Sequence, residues 1–438
     1  MVISQGAFAV MIFTDRYFMS MVSPSHMAAS LGGGVASFFC MSLFIGVLSY
    51  TNALVAQYFG KEEWDKCARV LTQGFILTLA FIPLLLLIGY LVSDLFEFMG
   101  HTPAQAELEK SYFLILIWGA SFSLFKTCVA SYFSGIGETR VVMIADTIGV
   151  AINIPLSYAL IFGAWGIPEF GIEGAAYGTI ISTFISLMIF AYYYFKPQHV
   201  ELFSVRSSFR FDRGILNRFV RLGFPSGIEM FLNVAAFNLF LLMFQSYGIA
   251  EAASAAIVFN WDIISFVPML GLNVAIISLI GRYIGAGDNY KMKEVMKAGF
   301  MIGLGYSLVL AIVFFVWRIP LVSIFLEGNE QNASILTLSS FMMIGLATYV
   351  MADALLLISG GVLRGAGDTK WLMWASVLIH WFMLLVQYFV IKVWDLGSKV
   401  SWVVFVFMVL ATAVMYIIRL AGDRWRTEEA LARVMAEQ

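Results

Sequence analysis

Two stretches of the chain repeat one another, VASYFSGIGETR at 129–140 and SGGVLRGAGDTK at 359–370. FSGIGETR in the first aligns with LRGAGDTK in the second at a shift of 230 positions. Upstream, VAQYFGKEEWDKCARVLTQG (55–74) aligns with IGRYIGAGDNYKMKEVMKAG (280–299) at a shift of 225, and the tripeptide AAS recurs at a shift of 224. Three matches in the same order indicate two homologous halves.

The composition predicts a membrane protein. Of the 438 residues, 61% are apolar and 12% are charged, whereas a soluble domain averages about 25% charged residues. Many apolar runs reach the ~20 residues that a helix needs to cross a bilayer. We therefore expect an all-α polytopic fold with a lipid bilayer as its surroundings. The predicted spans are 1–22, 34–58, 70–96, 111–133, 141–163, 173–195, 219–245, 253–280, 294–317, 335–360, 371–391 and 401–419.

The basic residues predict the orientation of these spans. Twenty Lys and Arg residues follow even-numbered spans or lie in the tail, and four follow odd-numbered spans. The positive-inside rule then places both termini in the cytoplasm. The first apolar run contains Asp15 and Arg16 and lacks a basic leader, which predicts that there is no cleavable signal peptide. Net charge is −2, so we expect no nucleic-acid partner.

The repeat divides the twelve spans six and six. We predict an N-terminal six-helix bundle at 1–196, a cytoplasmic linker at 197–217, a C-terminal six-helix bundle at 218–420 and a cytoplasmic tail at 421–438. Six is an even number, so the two bundles have parallel topology, an arrangement typical of alternating-access transporters with a central cavity. The acid and base of the doubled signature are expected to cap and pin a corner between two helices.

Charged residues inside the spans are costly and call for a reason. The candidates are Asp15, Arg16, Lys126, Asp146, Glu229, Asp262 and Asp353. Asp353 lies well inside the tenth span, and Glu229 lies four residues after Pro225 in the seventh. Asp146 and Asp262 lie nearer span ends, where solvation at the interface is expected. For Lys126, the sequence leaves pairing with Asp15 or Asp146 open.

A carboxylate in a span suggests a coupling device. It loses its negative charge when it binds a proton or Na⁺, so that it exchanges the ion for a cationic substrate. Trp261 and soft Phe and Met side chains are candidates to line the cavity, because they accommodate varied hydrophobic guests. The three cysteines show no metal-ligand spacing and are interpreted as small apolar residues. The four histidines are dispersed, which predicts no metal cluster.

Three motifs carry a resemblance to a known family. LVAQYFGK at 54–61, GFPSGIEMF at 223–231 and YVMADALLLISGGVLRGAGDT at 349–369 resemble those of bacterial multidrug and toxic compound extrusion (MATE) transporters, and the likeness covers nearly the whole chain. It implies a monomeric, multi-pass inner-membrane antiporter, not an enzyme. Such an antiporter exports organic cations or hydrophobic drugs in exchange for H⁺ or Na⁺, without a further cofactor.

The resemblance also implies roles for individual residues. It places ion coupling at Asp15, Asn153, Thr179, Glu229, Tyr349 and Asp353, with Asp353 and Tyr349 as the candidate Na⁺ ligands. The predicted substrate cavity contains Glu229, Asn233, Trp261 and Asp353. Two positions depart from the family pattern, because Ser157 and Asn233 stand where an acid is usual.

A second reading from the same superfamily is a flippase for lipids or lipid-linked oligosaccharides. A flippase tends to need a basic cavity for phosphate, whereas the intramembrane charges here are mostly acidic. A membrane-embedded enzyme would need a cluster of catalytic side chains, and the sequence contains none that we recognise. The two-half repeat favours alternating access over a passive channel or receptor.

Overall fold

The computed structural model of the chain describes residues 1–94, 96, 103–326 and 332–437. Every regular element within these ranges is helical, and no β-strand occurs in them. The predicted all-α polytopic fold is thus confirmed. One of the four dispersed histidines, His101, lies outside the described residues.

The chain folds into two compact units, Ile3–Ile228 with the end of the chain from Ala436, and Glu229–Met435. Unit 1 contains α1 Val2–Val22, α2 Pro24–Ser49, α3 Thr51–Gly60, α4 Trp64–Ser93, α5 Pro103–Gly135, α6 Thr139–Phe162, α7 Ile172–Tyr194, α8 Pro197–Leu202, α9 Val205–Ser208 and the first part of α10 Arg213–Gln245. Unit 2 contains the rest of α10, then α11 Ile249–Gly285, α12 Asn289–Val316, α13 Arg318–Ser323, α14 Asn332–Ala366, α15 Thr369–Tyr388, α16 Ser398–Ala421 and α17 Glu428–Met435. The predicted domain limits stay predictions. The two units are defined by contacts between residues, whereas the predicted domains are defined by the sequence repeat, so one division does not test the other.

Each predicted span coincides with a long helix or helix pair. Within the described ranges, eleven helical segments are long and apolar enough to cross a membrane, and α2 and α3 together form one of them. The first predicted span, 1–22, corresponds to α1, which does not meet the same measure of apolarity. The adjacent charges Asp15 and Arg16 lower the hydropathy of this 21-residue helix.

The two halves repeat in backbone geometry as well as in sequence. Gly137 and Gly367, 230 positions apart, both adopt a positive φ, +87° and +86°, which a residue with a side chain rarely adopts. Gly135 lies directly against the Asn52 carbonyl and Val55, and Gly365 lies against the Ile277 carbonyl and Ile280 in the same way. The shared sequence signature therefore encodes one helix crossing that is built twice.

We expect Gly135→Ala and Gly365→Ala each to lower the Tm of the protein. A Cβ atom would lie 2.8 Å from the Asn52 oxygen in the first case and 2.9 Å from the Ile277 oxygen in the second. Overpacking of this kind costs about 1–3 kcal/mol. The control is Gly305→Ala in α12, because nothing lies within 4 Å of its Cβ position and alanine favours a helix. Equal Tm values for all three variants in detergent would refute the close crossing.

The acids of the doubled signature do not cap their helices. Neither Glu138 before α6 nor Asp368 before α15 accepts a side-chain capping hydrogen bond, so the capping prediction is wrong. Asp368 instead forms an ion pair with Arg419 of α16, with an N–O distance of 2.8 Å. This contact ties the α14–α15 corner to α16, and the predicted pinning of both corners stays a prediction.

Candidate functional site

Two carboxylates from different helices of unit 2 face each other. Asp262 of α11 and Asp353 of α14 interact electrostatically, and the Tyr349 hydroxyl faces Asp262. Both carboxylate side chains are half-buried. Asp262 Oδ1 and the Tyr349 hydroxyl are shielded from solvent and have no partner in normal hydrogen-bond geometry. These oxygen atoms are therefore free to bind a proton or a cation.

Aromatic packing holds Tyr349 in this position. Its ring is 2% exposed and lies 5.8 Å from Phe405 and 6.3 Å from Trp402, measured between centroids. Tyr349 precedes Asp353 by one helical turn, so the two side chains share a face of α14. Two neighbouring negative charges in low dielectric repel each other, and a bound proton or cation relieves that repulsion.

The expectation that Asp262 is solvated at an interface is wrong. The Asp262 Oδ1 atom is shielded from solvent, and its carboxylate faces Tyr349 and Asp353. Trp261 next to it donates its Nε1–H to the Leu321 carbonyl at 3.2 Å and contacts Phe314 and Phe325. Its predicted place in a substrate cavity stays a prediction.

Glu229 lies in a separate network of unit 2. Its Oε1 accepts a hydrogen bond from Arg364 Nη2 at 2.7 Å and from the Tyr416 hydroxyl at 3.4 Å. The Glu229 side chain is 3% exposed, so this is a buried ion pair. Nearby in sequence, Asn233 donates to the Ser376 hydroxyl at 2.6 Å. The structure thus groups Glu229 with a cation and Asp353 with an acid, and their predicted roles remain proposals.

The predicted residues of unit 1 come together around Asp15. Thr179 of α7 donates to Asp15 Oδ2 at 3.3 Å, and the Ser157 hydroxyl of α6 also interacts with this carboxylate. Asn153, one turn before Ser157, donates to the Ser182 hydroxyl at 3.5 Å. One oxygen each of Asp15 and Asn153 is buried without a hydrogen-bond partner, and the Ser157 hydroxyl has no partner in normal hydrogen-bond geometry.

The other unit 1 charges form an ion pair. Lys126 Nζ of α5 lies 2.8 Å from Asp146 Oδ1 of α6, and the Ser4 hydroxyl of α1 also donates to Asp146. The Asp146 side chain is only 14% exposed, so the expectation of interfacial solvation is wrong for this residue as well. Of the two partners left open for Lys126, Asp146 is the one that the structure supplies.

Long apolar helices, an internal repeat and partly buried carboxylates are together typical of membrane transporters. The model of the MatE family matches residues 1–159 and 225–389. The chain therefore belongs to the MatE family, as the sequence predicted, and it is a multi-pass transporter of small molecules and not an enzyme. The two matched segments start 224 positions apart, in agreement with the shift of the sequence repeat.

Solved structures share this fold at low sequence identity. A MATE transporter in complex with MaL6 is 19% identical, with a TM-score of 0.88, over 99% of this chain and 95% of that one. An outward-facing multidrug resistance MATE family transporter of the MOP superfamily is 20% identical, with a TM-score of 0.84, over 98% and 94%. A MOP superfamily transporter from Pyrococcus furiosus is 19% identical, with a TM-score of 0.86, over 97% and 94%. The likeness shows the fold of the chain.

Proposed function

We propose that this transporter exports organic cations or hydrophobic drugs in exchange for H⁺ or Na⁺ by alternating access. The observation that carries the proposal is the half-buried pair of carboxylates, Asp262 and Asp353, beside the Tyr349 hydroxyl. A proton or Na⁺ bound there neutralises charge that would otherwise attract a cationic guest. Ion and guest therefore compete for the same oxygens, and this competition is what antiport requires.

The pairing of charges supports a cationic substrate over an anionic one. Within the described ranges, Asp15, Asp262 and Asp353 form no salt bridge, whereas the cations Lys126 and Arg364 each pair with a carboxylate. Unneutralised acids attract cations and repel phosphate. For the Pyrococcus furiosus transporter, reverse polarity of the binding pocket suggests a different function, so pocket polarity is the property to test.

The second candidate is a flippase for lipids or lipid-linked oligosaccharides. Arg16 favours it, because this half-buried cation has no ion-pair partner in the part of the chain that the structure describes. A guanidinium is well suited to a lipid phosphate. We rank this candidate second because three acids, Asp15, Asp262 and Asp353, have no ion pair among the described residues, against one cation, Arg16.

We also propose that the protein acts as a monomer in the inner membrane with both termini in the cytoplasm. The support for the orientation is the excess of Lys and Arg after even-numbered spans, twenty against four. Labelling of single cysteines introduced near each terminus, in intact cells and in opened cells, tests this arrangement.

Transport by purified protein in proteoliposomes tests the function. We expect a pH gradient or a Na⁺ gradient, imposed separately, to drive ethidium uphill, and the gradient that succeeds identifies the coupling ion. Protein-free vesicles are the control for leak. If neither gradient moves ethidium while a fluorescent phospholipid crosses between leaflets, the exporter proposal is overturned in favour of the flippase.

A further inference from the structure

The end of the chain is held by three side chains of unit 1. Glu437 Oε1 accepts hydrogen bonds from the Tyr58 hydroxyl at 2.9 Å and from Lys66 Nζ at 2.8 Å. Arg221 Nη2 donates to the neighbouring Ala436 carbonyl at 2.7 Å. Unit 1 therefore binds both a side-chain carboxylate and a main-chain carbonyl of the tail, as a peptide-binding site does.

Glu437 is itself partly exposed, but two buried side chains, Tyr58 and Arg218, form the floor of its site. Tyr58 is 1% exposed, and the Arg218 guanidinium lies over its ring at 4.8 Å. Gly214 lies so close to Glu437 that a Cβ atom there would be 3.1 Å from its carbonyl oxygen. Burial alone would raise the pKa of Glu437, but the hydrogen bonds from Lys66 and Tyr58 outweigh it and lower the pKa, so that the carboxylate stays charged.

The second half of the repeat contains the same pair of residues, but the lysine there pairs with Asp288 of its own loop, at 3.7 Å, and not with a carboxylate of the tail. Tyr283 and Lys291 are equivalent to Tyr58 and Lys66, 225 positions earlier. Each lysine lies over its tyrosine ring, at 5.8 Å in the second half and 5.5 Å in the first. The Lys291 side chain is 57% exposed and the Lys66 side chain 27%. The repeat therefore supplies an internal reference for the tyrosine and lysine pair without a bound tail carboxylate.

We propose that Tyr58, Lys66 and Arg221 form a carboxylate-binding site on unit 1 whose ligand is Glu437 of the same chain. The ligand class is an acidic peptide segment, bound through one side-chain carboxylate and the carbonyl before it. The chain passes from unit 2 into unit 1 between Met435 and Ala436. A docked tail would therefore slow any step of a transport cycle in which the units move.

Hydrogen exchange of the full-length protein tests the docking and does not depend on the proposed function. We expect Glu437→Gln to speed exchange of the amides in 428–437 by about fivefold, the effect of losing a networked ion pair that is partly exposed. Lys291→Gln is the matched control and should leave these amides unchanged. Wild-type protection of 428–437 in Glu437→Gln, or equal loss of protection in Lys291→Gln, would overturn the proposal.

Swapping the charges of Lys66 and Glu437 distinguishes direct pairing of these two residues from a general destabilisation of the fold. Lys66→Glu should lose the protection of 428–437, and Lys66→Glu combined with Glu437→Lys should regain part of it, because the pair is restored with opposite signs. If the double variant is no better protected than Lys66→Glu alone, direct pairing is refuted.

The effect on transport is measured separately, as the initial rate of ethidium transport in proteoliposomes. A rate at least twofold above wild type in Glu437→Gln supports the slowing role of the docked tail. An unchanged rate beside faster exchange refutes that role while the binding site stands.

Discussion

Asp353→Asn is expected to reduce ion-driven ethidium transport to the level of protein-free vesicles. Asparagine keeps the shape of the side chain but is always neutral. It therefore cannot lose a negative charge on binding a proton or Na⁺, and the exchange of ion and guest is lost. The Tm is expected to stay the same or to rise, because the substitution removes one of two neighbouring negative charges. The measurements are gradient-driven transport in proteoliposomes and thermal unfolding in detergent.

Two further variants sharpen this prediction. Asp262→Asn is expected to impair the same step, because Asp262 shares the cluster with Asp353 and Tyr349. Asp423→Asn is the control, because this carboxylate is 77% exposed and its one salt bridge among the described residues is with Arg426, three residues away. A wild-type transport rate in Asp353→Asn would show that coupling lies elsewhere, and the Asp15 cluster of unit 1 would be the next candidate.

Glu229→Gln is expected to cause the second large effect, on stability. Glu229 neutralises the Arg364 guanidinium inside unit 2, at an N–O distance of 2.7 Å. Removal of one partner from a buried ion pair costs about 3–5 kcal/mol, because the remaining charge loses its compensation. For a chain of this length, such a loss lowers the Tm by roughly 4 °C. Thermal unfolding followed by size-exclusion fluorescence measures the shift.

A double variant distinguishes the structural pair from a coupling site. Glu229→Gln with Arg364→Met should recover most of the lost stability, because the remaining guanidinium charge is also gone. Lys291→Gln, an exposed site, is the control for nonspecific effects. If Glu229→Gln keeps the wild-type Tm but abolishes gradient-driven transport, the ion-coupling role implied by the family resemblance is the better account.

The Asp15 cluster illustrates how far a motif can predict a site. The family resemblance predicts ion coupling at Asp15, Asn153 and Thr179, and the structure brings Asp15 and Thr179 into hydrogen-bond contact. Ser157, where the family pattern has an acid, also interacts with Asp15. Close packing makes this possible, because a Cβ atom on Gly178 would lie 2.4 Å from the Ser157 hydroxyl.

The amino-acid sequence by itself determined the helices, their number and the doubling of the chain. These properties follow from local causes, since a run of ~20 apolar residues is sufficient to specify a span and a glycine such as Gly137 or Gly367 is sufficient to end a helix with a positive φ. These two glycines belong to FSGIGETR and LRGAGDTK, and the shift of 230 positions between these segments, together with two further matches, indicates the repeat.

Only the tertiary structure decided which charges meet. Asp262 and Asp353 are 91 positions apart, and Glu229 and Arg364 are 135 positions apart. Hydropathy places each residue along its own helix, but it does not specify which side chains of other helices that residue meets. The partner of a residue depends on how each helix is rotated against its neighbours, which is set by the close packing of side chains from distant parts of the chain.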